Sequence, residues 1–186
     1  HEDLRPWTGY YAKIGRPDVI SQSRAMAVAF GVPYVVEFPF APAPDALATY
    51  TGVVAVRRGV PAFDVEVGRL GNVEPDLVEL IATGLDRLTR HLGMRDGAVP
   101  PAAGIRFVRE RTTVAADATG VFHGRVRAGQ DVAAGDTLGV ITDYFGREVQ
   151  RLTAPKAGHI LFVLATPAVN RGEGVATLAT EVVDAR

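Results

Sequence analysis

The second half of the chain repeats itself, and that repeat limits its fold more than any other feature. Val132-Ala-Ala-Gly135-Asp136-Thr-Leu-Gly-Val-Ile141 is echoed 37 residues later by Val169-Asn-Arg-Gly172-Glu173-Gly-Val-Ala-Thr-Leu178. Upstream, Gly120-Val-Phe122 is echoed by Gly158-His-Ile160 at an offset of 38 residues. Each copy reads glycine, apolar strand, turn, Val-x-x-Gly-[Asp/Glu], apolar strand. A single copy leaves an apolar face uncovered. Two copies can interleave as two sheets around a shared core. The period near 2 from residue 105 onward predicts strands at 105–112, 120–127, 137–142, 147–152, 159–165 and 175–182. Residues 105–186 therefore read as an all-β, barrel-sandwich-like domain with repeats at 120–141 and 158–178.

The first half has a different rhythm. Pro17 suits a first helical turn, and Val19, Ile20, Met26, Ala29 and Phe30 recur at helical spacing up to Gly31. Residues 34–38 follow as a strand, and 62–67 as another, closed by Gly68. Leu77, Leu80, Ile81, Leu85, Leu88 and Leu92 form one apolar helical stripe ending at Gly93. Residues 2–15 read as an irregular loop anchored by Trp7, Tyr10 and Tyr11, and 47–58 fits helix and strand equally well. The alternation predicts an α/β layer over residues 1–93, with 94–104 as a linker.

Composition removes several functions. The chain has no cysteine, so disulfide scaffolds and cysteine-zinc modules are out. Its 20 Lys+Arg against 21 Asp+Glu give no basic excess, so no nucleic-acid partner is expected. No apolar run reaches the roughly 18 residues of a membrane span, so no membrane partner is expected either. With no signal-like segment, the cytoplasm is the default location.

Among residues that could carry chemistry, Glu66 comes first. Alternation places it with Asp64 and Gly68 on one face of a strand, opposite Phe63, Val65 and Val67. A carboxylate near the carboxyl end of a strand, before a glycine turn, sits where open α/β sheets place their sites. A solvated strand face is the bland reading of the same pattern. His91, His123 and His159 lack metal-site spacing and read as ordinary histidines, and His1 cannot be judged by spacing. Lys156 precedes the second repeat rather than sitting at the hairpin tip 142–147, which disfavours a swinging-arm cofactor carrier.

Three fragments, in order and spacing, resemble one known family. They are G-V-P-A-F-D-V-E-V-G at 59–68, the helix end L-T-R-H-L-G-M at 88–94, and the β repeat with T-A-P-K-A-G-H-I. The resemblance is to the carboxy-terminal portion of the succinylglutamate desuccinylase/aspartoacylase family, and it covers nearly the whole chain. It implies a metallocarboxypeptidase-like α/β/α layer followed by the β domain. The implied activity is a zinc-dependent hydrolase, an amidohydrolase or deacylase, that cleaves the amide bond of small N-acyl amino acids or related amides. Glu66 matches the family's catalytic glutamate, and His1 would match its third zinc ligand. The family's other two ligands lie in an H-x-x-E motif, which occurs nowhere in these 186 residues. The resemblance therefore implies either a longer or separately completed enzyme, compatible with a homo-oligomer, or a non-catalytic binding fragment.

Overall fold

The computed structural model describes residues 2–39 and 50–184. They form a mixed α/β chain that divides into two compact units. One comprises Pro6–Glu66, Glu74–Arg109 and Val183–Arg186; the other comprises His1–Arg5, Val67–Val73 and Glu110–Val182. No helix among the described residues is long and apolar enough to cross a membrane.

Strand β1 (Glu2–Tyr11), which enters the first unit at Pro6, replaces the irregular loop that the sequence suggested. Its residues Trp7–Tyr11 pair in parallel with Tyr34–Phe38, which is β2. They are all buried, so both faces are covered and no polar alternation marks the strand. Pro6 and Gly9 disguise it further. On its other side β2 pairs in parallel with Arg106–Val108 of β4 (Arg106–Ala115). Strand β3 (Asp64–Arg69) borders β1.

Helix α1 (Pro17–Phe30) starts at its proline and stops at Gly31, as its sequence predicts. Residues 47–49 lie outside the described region, and the ambiguous stretch beyond them resolves as helix α2 (Thr51–Arg57). Helix α3 (Pro75–His91) is present, but its leucine stripe is less covered than expected. Gly84, set against the Phe30 ring, is the buried residue of this helix, while Leu85 and Leu92 are 51% and 46% exposed. Contact with α1 covers only part of an arc wider than one helix can hide. The core joins Tyr10, Ala27, Val35, Ile105 and Phe107, with Ile20 and Phe63 packed against them.

The second unit is built on the repeat. Strands β5 (Gly120–Gly124), β7 (Thr137–Thr142), β8 (Glu148–Thr153) and β10 (Ala168–Val169) form a four-stranded sheet in the order β10-β5-β7-β8. Strand β9 (Gly158–Leu164) pairs antiparallel with β11 (Gly174–Asp184) and with β6 (Asp131–Val132). One core serves both sets of strands, and it takes equivalent residues from the two copies: Val132 and Val169, Leu138 and Val175, Ile141 and Leu178, Phe122 and Ile160.

The copies also lock each other reciprocally. Gly135 N–H donates to Ala154 O at 2.8 Å, and Ala154 N–H donates to Asp136 O at 2.9 Å. In the mirror relation, Gly172 N–H donates to Ala116 O at 2.7 Å, and Ala116 N–H donates to Glu173 O at 2.8 Å. Each turn carboxylate closes its own loop, Asp136 accepting from Ala133 N–H and Glu173 from Asn170 N–H. Gly135 and Gly172 sit at φ 89° and 91°, a backbone that favours glycine.

The glycine that opens each copy has a second reason. A Cβ on Gly120 would strike the Thr142 carbonyl, and one on Gly158 would come within 2.6 Å of the Ala179 carbonyl. Neither carbonyl can yield without breaking its strand. Gly120→Ala and Gly158→Ala are therefore each expected to destabilise the chain by about 1–3 kcal/mol, read from urea unfolding midpoints. Midpoints unchanged from the parent would show that the approach is not tight.

Candidate active site

Glu66 lies in the middle of β3 and is half-buried. The contacts at the two ends of β3 set its direction against β1. At one end the Tyr11 hydroxyl donates to Asp64 Oδ2 at 2.6 Å. At the other, Leu70 N–H donates to Glu2 O at 3.0 Å and Arg69 faces Asp3 at 3.9 Å. The strands therefore run antiparallel, with Glu66 between two tethered ends. Gly68 has φ 100°, which breaks the regular alternation immediately beyond Glu66.

The Tyr11–Asp64 pair was not singled out by the sequence, because the strand carrying Tyr11 was not legible. An aromatic cluster holds that tyrosine. Its ring stacks on Phe38 with centroids 5.3 Å apart, and Trp7 meets Phe38 edge-on at 5.7 Å. Tyr10 on the same strand donates to Glu37 Oε1 at 2.8 Å. Burial, and then these carboxylate hydrogen bonds, push both phenols far above the usual 10.0.

The sign of the linkage follows. Above pH 10 the unfolded chain gives up phenolic protons that the folded chain keeps, so stability is full below that pH and falls as pH rises past it. Unfolding midpoints measured from pH 9 to 11.5 should fall less steeply for Tyr11→Phe than for the parent. Identical slopes would contradict the coupling.

The remaining candidates are dispersed. His1 lies outside the described residues. His91 ends α3 and is exposed. His123 Nε2 is 3.1 Å from Thr142 Oγ1, and His159 Nδ1 is 2.8 Å from Asp131 Oδ1. Lys156 forms an exposed ion pair with Glu110 at 3.7 Å. Among the described residues no group of three or more His, Cys, Asp or Glu could hold a metal ion. The described residues thus do not make up a zinc site by themselves.

These observations define a mixed α/β chain with a repeat-built β unit and a strand-borne glutamate. No protein-family model matches it, and no curated protein does. Solved structures do, and the resemblance read from the sequence holds: they are succinylglutamate desuccinylase/aspartoacylase family proteins covering 96–99% of this chain. The succinylglutamate desuccinylase/aspartoacylase from Rhodobacter sphaeroides is 27% identical, with a TM-score of 0.78 over 99% of this chain. The product-bound ectoine utilization protein EutE (DoeB) from Ruegeria pomeroyi is 19% identical, with a TM-score of 0.83 over 97%. An aspartoacylase family protein from Mesorhizobium loti is 18% identical, with a TM-score of 0.74 over 96%. The last two, at such identity, speak to the fold alone. The chain spans about half the length of each structure, 55%, 55% and 53% respectively.

Proposed function

We propose that the intact protein is a zinc-dependent amidohydrolase or deacylase of small N-acyl amino acids or related amides, with Glu66 as its proton-handling residue. The observation that carries this reading is the placement of the E-V-G glutamate. It stands on a braced strand, in a chain whose fold is that of a desuccinylase/aspartoacylase family protein over 99% of its length. Zinc dependence rests on the resemblance, with His1 as the one ligand this chain carries and the others supplied from outside it. The same reading makes residues 1–93 part of an α/β/α layer and 105–186 a barrel-sandwich-like domain.

The chemistry asked of Glu66 is simple. Its carboxylate accepts a proton from water as the water oxygen bonds to the amide carbon. The same proton then passes to the nitrogen as the carbon–nitrogen bond breaks. One water is consumed, an acid and an amine leave, and the carboxylate is restored. Strand backbone suits this role, because a general base must hold its position to within a fraction of an ångström.

The test is an assay of amine release from a panel of N-acyl amino acids by the intact protein supplied with zinc. Amine release that follows zinc content supports the reading. No zinc binding and no turnover on any member would favour the alternative, a non-catalytic binding fragment that lacks the zinc motif.

A further inference from the structure

Glu66 shares its strand face with a second carboxylate. Asp64 stands two residues before it, on the same side of β3. A strand rises about 3.3 Å per residue, so the two side chains leave the backbone roughly 7 Å apart. Asp64 Oδ2 accepts the Tyr11 hydroxyl at 2.6 Å. That donor is neutral, and among the described residues no Lys, Arg or His pairs with Asp64. A half-buried carboxylate is thus left without a countercharge, a state that costs stability until a cation arrives.

The surroundings hold this carboxylate in place and keep one of its oxygens open. Tyr11 is fixed by its stacking on Phe38. Helix α2 approaches the pair through Gly52, in its first turn. A Cβ there would come within 2.8 Å of the Tyr11 ring and 3.1 Å of Asp64 Oδ1. Glycine is an unfavourable helix residue, and this close approach accounts for its presence. Asp64 Oδ1 therefore faces a point of the helix that carries no side chain, and it takes no hydrogen bond among the described residues.

We propose that Asp64 selects the amine half of the substrate by pairing with a cation borne roughly 7 Å from the nitrogen that Glu66 serves. The substrate class is then an N-acyl diamino acid whose second amine is free and protonated. A lysine-like side chain spans that distance, whereas an acidic one would meet a like charge. Tyr11 acts through Asp64 as a positioning residue. The proposal rests on Glu66 as the proton-handling residue of the same site.

The experiment compares Nα-acetyl-lysine, Nα-acetyl-norleucine and Nα-acetyl-glutamate as substrates of the intact protein. The lysine derivative is expected to exceed the norleucine one about 10–100-fold in kcat/KM, the value of one hydrogen bond to a charged group, with the glutamate one lowest. Asp64→Asn keeps an acceptor for the Tyr11 hydroxyl but loses the charge, so the lysine-to-norleucine ratio should fall to about one. Tyr11→Phe should lower the same ratio in part, which a purely structural role would not do. Calorimetric titration with free lysine and free norleucine reads the preference without turnover. Lysine should bind tighter by a similar factor, and the difference should vanish in Asp64→Asn. Glu66→Gln that stays active removes the Glu66 reading, and the titration still decides the role of Asp64. A parent that binds norleucine as tightly as lysine overturns the proposal, and so does an Asp64→Asn variant that keeps the lysine preference.

Discussion

Replacing Glu66 by glutamine is expected to lower kcat for amide hydrolysis by the intact protein about 10²–10⁴-fold, with KM little changed. Glutamine keeps the size of the side chain and its place on β3 but cannot take up the proton. The loss therefore belongs to the transition state rather than to substrate binding. At about 1.4 kcal/mol per decade it corresponds to roughly 3–5 kcal/mol. The half-buried position of Glu66 makes wild-type unfolding behaviour the expected control. A variant that retains full kcat would remove Glu66 from the chemistry, whatever the fold resembles.

The second large effect is on stability. Ile141 and Leu178 occupy the same position in the two repeats, and both are fully buried in the shared core. Leu178→Ala and Ile141→Ala are each expected to destabilise by about 2–5 kcal/mol, the lost transfer energy plus the cavity left behind. Phe145, 97% exposed at the tip between β7 and β8, provides the contrast, and Phe145→Ala should stay within about 0.5 kcal/mol of the parent. Urea unfolding, with constant slope, reads all three. A loss below about 1 kcal/mol at Leu178 would mean that the two copies do not share one close-packed interior.

The repeat was legible because a β-sheet folds locally through turns. The Val-x-x-Gly-[Asp/Glu] signature marks a turn, and the structure shows what builds it: a glycine at positive φ and a carboxylate that closes the loop. Strand β7, residues 137–142, falls where its alternation placed it. Helix α1 was equally plain, with a proline to start it and a glycine to stop it. Strand β1 was not, since a strand buried on both faces loses the polar alternation that identifies strands. With it went the Tyr11–Asp64 hydrogen bond, a pairing of residues 53 apart that no local pattern announces. The stripe on α3 shows the opposite limit. Periodicity marks an apolar face, but what covers that face is decided by tertiary packing.

Glu66 itself was legible by alternation as a strand residue and by its place before a glycine turn as a candidate, while its catalytic role came from the family resemblance. Its geometry adds the bracing at both ends of β3. The metal side of the site was legible only in part, because the described residues bring together no three ligands.

The most direct measurement is amine release from N-acyl amino acids by the intact protein, followed as zinc is stripped and restored. The account predicts release that falls with chelation, returns with zinc, and is lost in Glu66→Gln at full zinc occupancy. Release that is indifferent both to zinc and to Glu66 would contradict it.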